Sequence, residues 1–172
     1  MPAIAQAQSP CPLIAAMMVE EPAGLGGIGV TVNGQGLIDV TLNGKADFLR
    51  GAADCSITAP GHDFEVDCSW SFAGTETAQA EAMFAALQKR LNACLPERLE
   101  PRYVAAQTPD QLATLAARYG TSFIESLEKV KILQDVGQSV PAGKNSALHV
   151  RLSLNRDTRY DKLSLSASFS RY

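Results

Sequence analysis

The sequence has few of the residues that build metal and redox sites. Its 172 residues include only two histidines and four cysteines, and no two cysteines are spaced as C-x-x-C. A tetrahedral zinc site would have to be assembled from scattered positions, and a C-x-x-C redox centre is excluded. The G-x-S-x-G pattern of many serine hydrolases is absent as well. We therefore expect no metal, no cofactor and no local catalytic motif.

Long apolar runs and charge of one sign are also missing. The longest apolar stretch, residues 12–19, is far shorter than the roughly 20 residues of a membrane helix. Lys and Arg number 15 against 18 Asp and Glu, and the bases of the C-terminal region are not interleaved with aromatic residues. The sequence therefore predicts no membrane span and no nucleic-acid partner.

The N-terminus and the cysteines indicate an oxidising compartment. Ala5-Gln6-Ala7 has the small-x-small pattern that signal peptidase accepts, so residues 1–9 are interpreted as a leader remnant or a disordered N-terminus. An even number of cysteines fits two disulfides in an exported protein. We expect a periplasmic or secreted protein in which residues 10–172 form a single α+β domain.

Alternating apolar residues predict three hairpins, at about 28–42, 53–72 and 147–170. In the second hairpin, pairing residue 57 with 66 and 55 with 68 places all apolar side chains on one face. In the third, residues 148, 150, 152 and 154 are expected to oppose 169, 167, 165 and 163 across an eight-residue loop, 155–162. Residues 137–146 are interpreted as the loop that precedes this hairpin.

Helical spacing predicts three helices, at about 10–21, 76–95 and 109–118. Thr75 is the expected cap of the second helix, and Thr108 with Gln111 predicts a capping box for the third. Residues 122–135 fit either a helix or the start of a strand. The predicted fold is a two-layer α+β domain, in which two or three helices cover one face of an antiparallel sheet and Trp70 lies in the core.

The hairpin register also predicts the cysteine pairing. Cys55 and Cys68 lie directly opposite each other, where a cross-strand disulfide is possible. A bond between Cys68 and Cys94 is disfavoured, because the two residues lie at different heights along the second hairpin and its following helix. We therefore expect Cys55 to pair with Cys68 and Cys11 to pair with Cys94.

A candidate interaction surface is predicted from the charges of the second and third hairpins. It consists of Asp54, Glu65, Asp67, His149, Arg151, Arg156, Arg159 and Lys162. The three acids share one strand face, which is too flat to wrap a calcium ion. If the two hairpins adjoin, their charges pair within the sheet. If they lie apart, they form complementary patches for a weak homodimer or a charged partner. The long basic loop favours the second arrangement.

These features favour a secreted or periplasmic, non-enzymatic binding or interaction domain. Its partner would be a protein, an envelope component or a small apolar ligand. The alternative is a small hydrolase that uses His62 or His149. A catalytic histidine should face a concave site beside Ser, Cys or Asp, whereas a turn histidine should face bulk water.

Overall fold

The computed structural model describes residues 11–18, 37–38, 54–58, 64–102 and 108–172. Along these residues the chain forms four helices: α1 (Cys11–Met17), α2 (Thr77–Asn92), α3 (Pro109–Tyr119) and α4 (Thr121–Lys129). It also forms seven strands: β1 (Leu37–Ile38), β2 (Asp54–Thr58), β3 (Phe64–Ala73), β4 (Glu100–Pro101), β5 (Val130–Pro141), β6 (Ala147–Asp157) and β7 (Lys162–Arg171). The predicted α+β class is confirmed.

The strands form one antiparallel sheet in the order β1-β2-β3-β7-β6-β5-β4. The second and third predicted hairpins are therefore neighbours, joined through β3 and β7. These two strands pair without interruption from Phe64 opposite Arg171 to Ala73 opposite Lys162. The expectation that the hairpins lie apart is wrong, because the shared apolar face of β3 and β7 is continuous across their junction.

The second hairpin has the predicted register, with Cys55 opposite Cys68 and Ile57 opposite Val66. Its turn, including His62, lies outside the described residues. Most of the first predicted hairpin also lies outside them, and the described part, β1, pairs with β2. The structure thus confirms the alternation on which the second hairpin was predicted.

The register of the third hairpin differs from the prediction by two residues. Leu148 lies opposite Arg171 and Leu152 opposite Ala167, so β6 and β7 continue to the pair Asp157 and Lys162. The prediction of an eight-residue loop is wrong, because the connection between β6 and β7 consists of residues 158–161 only. The carboxylate of Asp157 accepts a 2.9 Å hydrogen bond from the backbone N–H of Arg159, which favours this tighter turn.

The chain before this hairpin also contains more strand than predicted. Strand β5 runs to Pro141, so residues 137–141 are not part of a loop. Residues 122–135 contain both alternatives, because α4 ends at Lys129 and β5 begins at Val130. The apolar residues of α4 and early β5 therefore belong to two different elements.

The core lies between the sheet and the two helices α1 and α2. Ile14 and Met17 of α1 are buried, together with Ala80, Phe84, Leu87 and Leu91 of α2. They face buried residues of β3, β6 and β7, including Trp70. Thr75 is not the cap of α2; Glu76 holds that position, and its carboxylate accepts a 2.7 Å hydrogen bond from the backbone N–H of Ala73.

Cys11 and Cys94 form the expected disulfide, with their Cα atoms 4.9 Å apart. The bond joins the start of α1 to the segment just after α2, and so fixes both covering helices to each other. Cys68 is also disulfide-bonded. The register places Cys55 directly opposite Cys68. The Cys55–Cys68 bond stays a prediction, which this register favours.

Candidate functional site

Helices α3 and α4 form a helical pair whose start is set by local sequence. The hydroxyl of Thr108 accepts a 3.3 Å hydrogen bond from the backbone N–H of Gln111, whose side chain accepts a 2.9 Å bond from the Thr108 N–H. The predicted capping box is thereby confirmed. Gly120 separates the helices with a φ of 90°, a conformation that a residue with a Cβ rarely adopts.

No residue of α3 or α4 is buried, in contrast to α1 and α2. Large apolar side chains instead remain exposed from the end of α3 to early β5. We call this set the 119–133 apolar surface, and its members are Tyr119, Phe123, Leu127, Val130, Ile132 and Leu133. The exposed fraction of Tyr119 is 54% and that of Leu127 is 43%. The third predicted helix thus forms, but its apolar residues Leu112 and Leu115 are only partly buried.

The 119–133 apolar surface is held in place by contacts with the turn between β6 and β7. The carbonyl of Lys129 accepts hydrogen bonds of 2.9 Å from the Thr158 N–H and 3.0 Å from the Thr158 hydroxyl. The guanidinium of Arg159 donates to the hydroxyl of Ser126 over 3.1 Å. At the other end, the rings of Tyr119 and Phe123 lie 5.1 Å apart. These contacts fix the end of α4 and the start of β5 against the turn at residues 158–161.

The charges around this surface are balanced. Residues 108–133 include three acids, Asp110, Glu125 and Glu128, and three bases, Arg118, Lys129 and Lys131. A helix that binds an anionic membrane surface usually has an excess of Lys and Arg on its polar face. An exposed apolar set with aromatic members and no excess charge has the composition of a protein-binding surface.

The charged residues of the predicted interaction surface do not form one cluster. Asp67 is exposed, and Ser168 of β7 lies between it and Arg151 in the same cross-strand row. Glu65 accepts a hydrogen bond from the hydroxyl of Tyr172. For Asp54 the structure describes only its backbone pairing with Ser69. The acids of β3 therefore do not pair directly with the bases of β6.

Three of the four predicted basic residues have partners elsewhere. Arg151 forms an ion pair with Asp135 of β5. Its hydrogen bond to that carboxylate raises the pKa of the Arg151 guanidinium. Arg156 donates to the carbonyl of Gly74 over 2.6 Å and to the hydroxyl of Thr77 over 3.1 Å. Arg159 pairs with Asp157, and the exposed Lys162 lies in β7. Arg156 and Lys162 are thus strand residues, not loop residues.

His149 alternates with the buried Leu148 and Val150 along β6 and lies at a depression of about 380 Å³. The depression is lined by Arg102, Gly137, Gln138, Ser139, His149, Val150 and Arg151. Ser139 is the direct cross-strand neighbour of His149. Within the described part of the chain, no hydrogen bond joins this imidazole to a serine or a carboxylate. The arrangement supplies cationic and polar groups but not a formed nucleophile–base pair.

Sequence reasoning missed Arg102 and Asp135, which take part in this depression and its supporting ion pair. The one sequence signal was Gly137, since a glycine inside a strand often marks a close approach of another group. Among the described residues, no group of three or more His, Cys, Asp or Glu side chains is arranged to hold a metal. In the same ranges, no helix combines the length and the hydrophobicity needed to cross a bilayer.

Comparison with protein-family models, with curated proteins and with solved structures found no match for this chain.

Proposed function

We propose that this protein is a periplasmic or secreted, non-enzymatic interaction domain that binds a partner protein through the 119–133 apolar surface. The observation that carries the proposal is that α3 and α4 have no buried residue, while large apolar side chains remain exposed from Tyr119 to Leu133. Helices in a globular protein gain most of their stability by covering such side chains. A partner that covers them would supply this missing burial.

The chemistry of the surface favours a protein over a lipid membrane. Tyr119 and Phe123 are residue types enriched in protein interfaces, where they offer large contact areas at low entropic cost. The equal numbers of acids and bases in residues 108–133 offer no net attraction to anionic headgroups. The partner is therefore expected to present an apolar patch with a polar rim.

The disulfide supports the proposed compartment. Cys11 and Cys94 are bonded, and Cys68 is bonded as well. Such bonds persist in the periplasm and outside the cell, where thiols are not kept reduced. An interaction domain located there would meet envelope or extracellular proteins.

A site-specific photo-crosslinker tests the proposed surface. Placed at Leu127, it should yield one discrete protein adduct in an extracytoplasmic extract of the source cells. Placed at Glu125, which is exposed but outside the apolar set, it should not. Excess unlabelled wild-type protein should compete for the adduct, whereas the Leu127→Lys variant should compete at least about tenfold less well.

Several outcomes would contradict the proposal. Equal crosslinking from positions 125 and 127 would indicate non-specific collision, and recovery of only a second copy would replace the partner protein with a homodimer. Flotation with phosphatidylglycerol vesicles that is lost in Leu127→Lys would indicate a lipid surface. Turnover of a model ester that disappears in His149→Ala would overturn the non-enzymatic part.

A further inference from the structure

The depression at His149 depends on Gly137, which leaves space for the side chain of Arg102 to lie against β5. A Cβ atom on Gly137 would lie 2.7 Å from Cδ of Arg102 and 3.1 Å from the carbonyl oxygen of Val150. The aliphatic part of Arg102 therefore occupies the space above Gly137. Its backbone is fixed because the Arg102 N–H donates a 2.9 Å hydrogen bond to the carbonyl of Asp135. Arg102 is thus positioned by both strand pairing and close packing.

Arg151 contributes a second, more rigid guanidinium. Its Nε and Nη2 atoms each donate a 2.9 Å hydrogen bond to the carboxylate of Asp135. The Asp135 side chain is only 1% exposed, whereas that of Arg151 is 43% exposed. An arginine has five N–H donors, so this pair leaves donors of Arg151 available to a ligand. The buried carboxylate fixes the guanidinium without enclosing it.

Smaller polar groups complete the depression. His149 lies two residues from Arg151 on the same face of β6, and Ser139 lies opposite His149 on β5. The ring of His149 is 5.7 Å from that of Tyr172. Glu100 is the cross-strand partner of Gly137, yet in the part of the chain described here it forms no ion pair with Arg102 or Arg151. Two guanidiniums, an imidazole and a hydroxyl therefore face one small volume.

We propose that this depression binds a phosphate group. Guanidinium donors match phosphate oxygens in geometry, and their bonds to an anion are stronger than bonds between neutral groups. Arg102 and Arg151 contact the oxygens, and His149 and Ser139 donate further hydrogen bonds. Phosphate binding uses this depression and not the 119–133 apolar surface, so it is independent of the partner-protein proposal. The phosphate reaches the site either as a soluble ion or as part of a lipid headgroup.

Titration with inorganic phosphate tests the site directly. At constant ionic strength, phosphate should shift the NMR signals of the His149 imidazole and the Arg102 and Arg151 side chains along one saturable curve. The Arg102→Gln variant should bind about fivefold to tenfold more weakly. Lys162→Ala is the matched control, because it removes an exposed cation from the distant end of β7. Glu100→Gln should strengthen binding by removing a nearby negative charge.

A second variant separates position from charge. Gly137→Ala keeps both arginines but places a Cβ where Arg102 lies, so it should weaken phosphate binding. The NMR signals of β6 and β7 should keep the positions that they have in the folded wild-type protein. Flotation with phosphatidylcholine vesicles, with and without phosphatidic acid, distinguishes a headgroup from the soluble ion. The proposal would be overturned by an unsaturable response, by chloride producing the same shifts, or by an equal loss of binding in Lys162→Ala.

Discussion

Asp135 and Arg151 form a two-point ion pair between β5 and β6, in which one partner is buried and the other is half-exposed. Both hydrogen bonds measure 2.9 Å, and the carboxylate is 1% exposed. Asp135 lies opposite Ser153, and Arg151 lies opposite Gly137, so the pair is diagonal across the two strands. The pair stabilises the folded protein through two aligned hydrogen bonds and not through attraction between surface charges alone.

Removing the buried partner should destabilise the sheet. We expect Asp135→Ala to lower the free energy of unfolding by about 1–3 kcal/mol, because two charge-assisted bonds are lost. Arg151 remains near water, which keeps the cost below that of a fully buried orphan charge. Urea denaturation of Asp135→Ala, of Arg151→Ala and of the double variant measures the coupling energy between the two side chains. Additive effects of the two substitutions would contradict the ion-pair account.

A side chain at Gly74 should destabilise the adjoining turn, because the exposed Asp161 side chain would have to move. A Cβ on Gly74 would overlap the Asp161 carboxylate, while the Gly74 N–H donates a 2.7 Å hydrogen bond to the Asp161 carbonyl. We expect Gly74→Ala to cost about 1–3 kcal/mol. Adding Asp161→Gly should restore most of that stability, since it removes the overlapping group and suits the φ of 47° at this position. Thermal unfolding without such rescue would refute this overlap.

The pair Asp157 and Arg159 should make the turn sensitive to acid. The hydrogen bond from the Arg159 side chain lowers the pKa of Asp157 below its ordinary value of 3.8. A lowered folded-state pKa means that the stabilisation is present above the unfolded-state pKa and is lost as pH falls through the folded-state value. Arg159→Gln should raise the Asp157 pKa toward 3.8 in an NMR titration. Arg118→Gln, a matched removal of charge on α3, should leave it unchanged.

The capping box should stabilise α3 locally rather than the whole fold. We expect Thr108→Ala to destabilise the first turns of α3 by about 1 kcal/mol, so that amide exchange at residues 112–118 accelerates. Exchange in β6 and β7 should not change, because no residue of α3 is buried in the core. Thr114→Ala provides the control, as its hydroxyl bonds within the helix to the Asp110 carbonyl. Equal acceleration throughout the sheet would contradict local stabilisation.

The two hairpins show why register was predictable in one case and not in the other. Sequence alternation repeats every two residues, so a shift by two keeps every apolar side chain of β6 and β7 on the same face. Only the turn decides between such registers, through Asp157 and the left-handed Asp161. A shift by two would also keep the apolar faces of the second hairpin matched, so its register was predicted correctly because a short connection between β2 and β3 was assumed, not because of the alternation alone.

The candidate sites depended on information that periodicity does not contain. The spacing of residues 122–135 fits a helix or a strand, but spacing cannot tell whether another element covers apolar side chains such as Phe123 and Leu127. The depression at His149 joins Arg102 with residues about 35 to 50 positions later, through pairing of β4, β5 and β6. The strand order that brings them together follows from tertiary packing and not from any local pattern.

The Cys11–Cys94 bond also determines how the chain would transmit mechanical force. Tension applied at the two termini passes from Cys11 directly to Cys94, so β2, β3 and α2 lie within a covalently closed loop whose backbone cannot be extended. The force acts instead on the chain after Cys94 and enters the sheet through β4 from one side and through β7 from the other. Reduction of the disulfide would allow the chain between the two cysteines, which are 83 positions apart, to extend, and this corresponds to roughly 280 Å of additional chain length. A single-molecule pulling trace would show this length only after the disulfide is cleaved.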